Sequence, residues 1–313
     1  SYFEGDGILI KNSILTLEHK SSGEPFMSAA VRISSEYLNR LTSGVYQKPD
    51  YSMNFPAKLI TTKLTWSDLI LPMEVQEEIE NIITWIKNSK VILEDWGLDK
   101  VIKPGYRSLF YGPPGTGKTL TASLIGSIVG ADVYRIDLSM VVSKYIGETE
   151  KNLANVFDQA QSKNWILFFD EADALFGKRT QASSSNDRYA NQEISYLLQR
   201  VEDFPGVVIL ASNIKANIDE AFSRRFQSIV YFPTPDNEHR LLLWKRILGN
   251  TQNLSLDISL EKLAEDYELS GGAMTNVIRY GAINSLQMDR QEMCQEDLVE
   301  GITKELQKEG KTA

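Results

Sequence analysis

The sequence predicts an α/β fold, a mostly buried parallel sheet between helices, followed by a small all-helical unit. Three observations carry this. Five short apolar runs, Leu109–Tyr111, Val133–Ile136, Ile166–Phe169, Val207–Leu210 and Ile229–Phe232, alternate with stretches of helical apolar spacing. Runs of that length, apolar on both faces and joined by helices, are what a parallel sheet covered on both sides requires. A glycine-rich loop leads from the first run into a helix, and beyond Pro233 and Pro235 the pattern becomes wholly helical, over Leu241–Leu248, Leu260–Tyr267, Met274–Leu286 and Glu296–Leu306.

The elements before the sheet are weaker. Residues 1–43 contain β-prone runs at Ile8–Ile10, Ile14–Leu17 and Val31–Ile33, then a short helical pattern at Ser35–Leu41. This piece is too small to bury a core of its own and is expected to be a partial N-terminal α+β domain. Residues 44–64, with Gly44, Pro49, Asn54 and Pro56 among aromatics, are expected to be a surface linker. Val75, Ile79, Ile82, Ile83 and Ile86 then recur at helical spacing. The expected organisation is a core at 65–235 and a helical unit at 236–313. The chain begins at Ser1 and not Met, as a truncated chain would.

Composition excludes several classes. The 313 residues are 42% hydrophobic and 24% charged, ordinary for a globular protein. No run of about 18 apolar residues offers a membrane span, and no basic, then apolar, leader is visible. With Cys294 as the only cysteine, no intrachain disulfide and no four-thiolate zinc site can form. The two histidines, His19 and His239, form no HExxH pair. A net charge of −9 argues against a broad nucleic-acid-binding face. A cytoplasmic protein without membrane or nucleic-acid partners is expected.

Gly112-Pro113-Pro114-Gly115-Thr116-Gly117-Lys118-Thr119 fits GxxxxGK[ST] between an apolar run and a helical stretch starting at Leu120. The glycines let backbone N–H groups turn onto phosphate oxygens, and the helix N-terminus adds partial positive charge. Lys118 is expected to reach the β- and γ-phosphates and Thr119 to ligate Mg²⁺, so ATP and Mg²⁺ are the expected ligands of a P-loop NTPase. Ile166–Phe169 ends in Asp170 and Glu171. Asp170 would hold Mg²⁺ at the carboxyl end of its strand, and Glu171 would polarise the attacking water. Asp170-Glu171-Ala172-Asp173 also spells a helicase signature. The flanks of the phosphate loop differ from those helicases and the acidic balance provides no RNA track, so that reading fails.

From Thr65 to Leu286 these motifs, in this order, resemble the AAA clade of AAA+ ATPases. The resemblance implies an αβα sandwich on a parallel five-stranded sheet, with a small helical lid. Ile209-Leu210-Ala211-Ser212-Asn213 looks like the sensor 1 strand, which implies that Asn213 orients the lytic water. Ala221-Phe222-Ser223-Arg224-Arg225-Phe226 resembles the arginine-finger segment. It implies that Arg224 and Arg225 act on a neighbour's γ-phosphate, and hence a homo-oligomeric, hexameric ring. Ser143-Lys144-Tyr145-Ile146-Gly147-Glu148 is similar to a first pore loop, in which Tyr145 and Ile146 would grip an extended polypeptide. Residues Lys178–Asp187, rich in Ser and polar groups, are expected to be a mobile loop in the place of a second pore loop. Trp66-Ser67-Asp68-Leu69 is similar to the segment that passes the adenine, and Leu269-Ser270-Gly271-Gly272-Ala273 to the lid turn beside it. Nucleotide contacts are therefore implied for Asp68, Leu69, Gly272 and Ala273 besides Pro114, Gly115, Thr116, Gly117 and Leu120. Glu202-Asp203-Phe204 stands where the family often has Asp-Gly-Phe, with Asp203 replacing the glycine.

The constellation implies an ATP hydrolase that remodels, unfolds or assembles proteins. Residues 14–41 look like the tail of a winged-helix-like domain. With Phe55-Pro56-Ala57-Lys58-Leu59 and Lys103-Pro104-Gly105-Tyr106-Arg107 they are similar to the ATPases of bacterial contractile injection systems. The alternative is a nucleotide-dependent scaffold or DNA-associated switch that hydrolyses little.

Overall fold

The computed structural model describes residues 7, 9, 14–17, 30–44, 48, 49, 51, 52, 55–138, 148–173, 195–213, 223–249, 251–308 and 310. In chain order the elements are β1 (Leu15–Leu17), β2 (Val31–Ile33), α1 (Ser35–Ser43), β3 (Lys58–Ile60), α2 (Met73–Lys90), β4 (Tyr106–Tyr111), α3 (Lys118–Val129), β5 (Val133–Asp137), α4 (Glu148–Lys163), β6 (Ile166–Asp170), β7 (Val207–Ser212) and β8 (Ser228–Tyr231). Four lid helices follow, α5 (Asn237–Leu248), α6 (Leu260–Asp266), α7 (Gly271–Gln287) and α8 (Gln295–Lys308). A further helical stretch covers 195–203.

The main sheet runs β3-β5-β6-β7-β4-β8. The expected five strands are present and parallel, but a sixth strand, β3, pairs antiparallel with β5 at the edge. It comes from residues assigned above to a linker. That stretch is anchored, not draped: Phe55 packs edge-on against Tyr134 at 5.6 Å and Trp165 at 6.2 Å, and Lys48 Nζ lies 2.6 Å from Asp132. A three-residue strand next to Pro56 carries too short an apolar pattern to be seen in sequence. At the N-terminus β1 and β2 pair antiparallel, while Leu9, inside the run Ile8–Ile10, is helical.

Apolar layers cover both faces of the sheet. On one side Val75, Ile79 and Ile82 of α2 and Ala122 and Ile125 of α3 meet Phe110, Phe168 and Ile209. On the other, Leu153, Val156 and Phe157 of α4 and Leu197 and Val201 of the 195–203 helix meet Leu109, Phe169 and Leu210. The strand order places β4 between β7 and β8, so the carboxyl ends of β6, β7 and β4 lie side by side. Crevices at such reversals of strand order are where open α/β sheets take ligands.

The lid has its own core around Trp244, Met274, Val277, Leu298 and Ile302. Its polar keystone is Asp297 in the first turn of α8, whose side chain has 0% exposure. One carboxylate oxygen accepts from Arg290 at 2.6 Å and Asn284 at 2.8 Å, the other from the backbone N–H of Cys294 at 2.9 Å and its thiol at 3.1 Å. Burial pushes this carboxyl up, but the bonds from Cys294, Arg290 and Asn284 outweigh it and hold it at about 2, below the ordinary 3.8. A folded-state value below the unfolded one adds stability that is complete above pH ~4 and is lost as pH falls toward 2. Asp297→Asn is expected to cost about 2 kcal/mol at neutral pH, with the gap to the parent closing below pH 3. Urea melts across that range check it.

Candidate functional site

The site begins where β4 stops. Gly112 has φ +144°, and a Cβ there would lie 2.1 Å from the Phe232 carbonyl oxygen, so only glycine lets the loop pass the end of β8. Gly117, at φ 101°, caps α3 in the left-handed region. The first N–H groups of α3 lack intrahelical acceptors and bring positive potential to the cleft. Lys118 has 8% exposure, and its ammonium donates to the carbonyls of Gly112 at 2.6 Å and Pro113 at 2.8 Å. Burial draws its pKa down, against the opposing pull of Asp170 and Asp173. A buried cation resting on loop carbonyls is poised for a polyanion, since burial without a partner is costly.

Opposite the loop stand the carboxylates. Asp170 ends β6, accepts from the N–H of Glu171 at 3.0 Å through one oxygen, and lies 3.0 Å from Arg135 through the other. Glu171 follows at φ 54°, a left-handed conformation for a non-glycine residue. Such strain persists only where the surroundings enforce it, and it clusters at functional sites. Here the enforcement is visible: directly after Glu171, the Ala172 N–H bonds the Ala211 carbonyl at 2.8 Å, continuing toward β7. Asp173 then accepts from the Ser212 hydroxyl and, at 3.4 Å, from the N–H of Asn213. The fourth letter of the apparent helicase signature thus braces the end of β7, on which Asn213 stands.

The lid closes the cleft. Ser270 caps α7 by accepting from Ala273 N–H at 3.3 Å, and Gly272 N–H donates to the Gly115 carbonyl at 3.0 Å. A Cβ on Gly115, at φ +76°, would sit 2.4 Å from the Ser270 hydroxyl. On the far side Arg246 of α5 donates to Asp68 and to the Ser67 hydroxyl, both at 2.7 Å. The Thr65 backbone and then its hydroxyl, with Arg246, hold Asp68 below its ordinary pKa.

The resulting cleft has a volume of about 510 Å³, within the ~300–1,000 Å³ usual for small-molecule sites. Asp68, Leu69 and Pro114 through Leu120 line it with Asp170, Glu171, Asn213 and Gly272. Ala273 does not: its methyl lies in the lid core, and Gly271, Gly272 and Thr275 face the cleft in its place. The α7 cap turns that side chain inward. Leu69, Ile70, Leu71, Leu243 and Ile247 supply an apolar end suited to a base, and Lys118 and the α3 N-terminus a cationic end suited to phosphates. Thr119, Asp170 and Glu171 offer hard oxygen donors of the kind Mg²⁺ takes. The residues present therefore fit Mg-ATP.

Arg224 and Arg225 stand apart, exposed and outside the described lining of the cleft. Arg225 pairs with Glu202, whose carbonyl accepts from the buried Arg107 at 2.6 Å. Tyr145, Ile146 and residues 178–187 lie outside the described residues. No motif assigns a role to Arg135, Asp173 or Arg246. Arg135 left one signal, a charge within the apolar run Val133–Ile136. Arg246 left none, because its partner Asp68 is distant in the chain.

Residues 108–234 match the model of the ATPase family associated with various cellular activities (AAA). Cell division protein C of Sulfolobus acidocaldarius is 37% identical over 173 residues, 52% of this chain and 46% of that protein. The proteasome-activating nucleotidase of Methanocaldococcus jannaschii is 34% identical over 215 residues, 66% of this chain and 50% of that protein. Vacuolar protein sorting-associated protein 4B of Mus musculus is 34% identical over 174 residues, 54% of this chain and 39% of that protein. The chain spans half or less of the length of these relatives.

Proposed function

We propose that the chain, whose residues 108–234 match the model of the AAA ATPase family, hydrolyses ATP with Mg²⁺ as part of a hexameric ring that remodels protein substrates. The observation that carries the reading is the convergence of Lys118, Asp170, Glu171 and Asn213 in one cleft spanned by the lid.

Each residue takes a role that its placement allows. Lys118 and the N–H groups opening α3 bind the β- and γ-phosphates. Thr119 and Asp170 would hold Mg²⁺, which would supply neutralising charge for the transferring phosphoryl group. Glu171 accepts a proton from the attacking water, and Asn213, braced by Asp173, orients that water. Charge developing on the γ-phosphate calls for one more cation, and Arg224 and Arg225 lie outside the described lining of their own cleft. In a head-to-tail ring they serve the neighbouring cleft.

Force on a polypeptide through Tyr145 and Ile146 belongs to this proposal, as does a cytoplasmic setting. No described helix is long and apolar enough to cross a membrane. The name of one relative, a proteasome-activating nucleotidase, supports work on proteins. The segments 14–41, 55–59 and 103–107 support a narrower role beside a contractile injection system.

Sedimentation velocity tests the assembly. Without nucleotide the 35.3 kDa chain is expected as monomers or small oligomers, and with Mg-ATP as a hexamer. A chain that turns over ATP at full rate while remaining monomeric rules out the ring.

A further inference from the structure

The β5–β6 ladder sets Asp137 directly across from Asp170, and Arg135 across from Phe168. Residues two apart on a strand share a face, so Arg135, Asp137 and Asp170 stand together on one side of the sheet, and Asp170 of the three lines the cleft. Carboxylates directly opposite each other on adjacent strands repel, and both of these are partly buried. A counter-charge is present: Arg135 Nη2 lies 3.0 Å from Asp170, whose side chain is 19% exposed. A guanidinium stays charged at any working pH and presents fixed donors to a carboxylate. With the Glu171 N–H on its other oxygen at 3.0 Å, Asp170 is tethered at both oxygens.

We propose that Arg135 is a positioning residue for Asp170. It sets the carboxylate's orientation and supplies positive charge beside Asp137 and Asp170 before a metal binds. The metal part of this inference rests on Asp170 being a Mg²⁺ ligand; the charge-balance part does not. Two cations drawn to the same carboxylates oppose one another, so the guanidinium holds back Mg²⁺ until a nucleotide brings further negative charge. Lysine at 135 retains the charge and loses the fork.

The test uses the full chain with Arg135→Ala, Arg135→Lys and the pair Arg135→Ala/Asp137→Asn. In EDTA without nucleotide, Arg135→Ala is expected to melt about 3–6 °C below the parent. Asp137→Asn in the same chain should recover most of that loss, and Arg135→Lys should melt between parent and alanine variant. Mg²⁺-dependent binding of a fluorescent ADP analogue should reach half-saturation at about threefold lower Mg²⁺ in Arg135→Ala. An unchanged melting temperature in EDTA, or no recovery with Asp137→Asn, overturns the charge-balance role. An unchanged or raised Mg²⁺ requirement overturns the opposition to the metal. If Arg135→Ala does not fold, the double variant decides, since folding of that variant supports the role and failure overturns it. A parent chain that binds no Mg-nucleotide sinks the reading of Asp170 as a metal ligand, while the EDTA melts still judge Arg135.

Discussion

Glu171→Gln is expected to bind ATP as the parent does and to lose turnover by about 10²–10⁴-fold, the usual contribution of a positioned general base. The amide keeps the size and hydrogen-bonding reach of the side chain but cannot take a proton from water. Both residues meet the same backbone demand at φ 54°, so the substitution neither adds nor relieves left-handed strain. Removing one negative charge beside Asp170 lowers the repulsion of the nucleotide's phosphates, so affinity should hold or rise. Fluorescent-nucleotide titration and steady-state phosphate release separate the two effects. The ATP-bound state then accumulates, and sedimentation should show assembled rings persisting with ATP where the parent's decay. Parent-like phosphate release from this variant would remove Glu171 from the chemistry. Loss of release together with loss of binding would mark Glu171 as a binding residue and not a base.

The parts of this site that sequence reveals are those written in consecutive residues. A phosphate loop needs its glycines, lysine and threonine at fixed offsets between a strand and a helix, so Gly112–Thr119 is legible alone. Asp170 and Glu171 are legible because an apolar run ends on them. What sequence hides is set by pairing across the fold. The bond from Arg246 to Asp68 joins residues 178 apart, and no periodicity marks either. Asp173 bonds Ser212 only because β6 and β7 are neighbours. Arg135 meets Asp170 through a strand register that a one-residue slip would reverse. Strand β3 was missed for a different reason, since its three residues hold one alternation and no more. Ala273 shows the converse error: a motif placed the turn at the cleft, but the helical phase beyond the Ser270 cap sends its methyl into the lid.

Arg225→Ala carries the other large effect. An arginine finger supplied from a neighbour is worth about 10³–10⁵ in turnover, so the variant should bind ATP and hydrolyse it hardly at all. A thermal melt of the variant checks that the loss is not that of a broken fold. Arg225 and Glu202 are 42% and 40% exposed, and exposed pairs contribute only about 0–1 kcal/mol. The same small figure means that the bond to Glu202 does not prevent Arg225 from turning to a neighbour's phosphate, an interaction several kcal/mol stronger in the transition state. Mixing distinguishes action on a neighbour from action within the chain. Arg225→Ala subunits carry an intact cleft and Glu171→Gln subunits an intact finger. In rings formed at random from equal amounts, about a quarter of the contacts join the two intact halves. Two preparations that are each inactive should therefore regain turnover on mixing, toward a quarter of the parent value if each cleft fires independently. A mixture as silent as its components would place the arginine's action within its own chain. Full turnover by Arg225→Ala alone would remove the finger, and with it the physical reason for a ring.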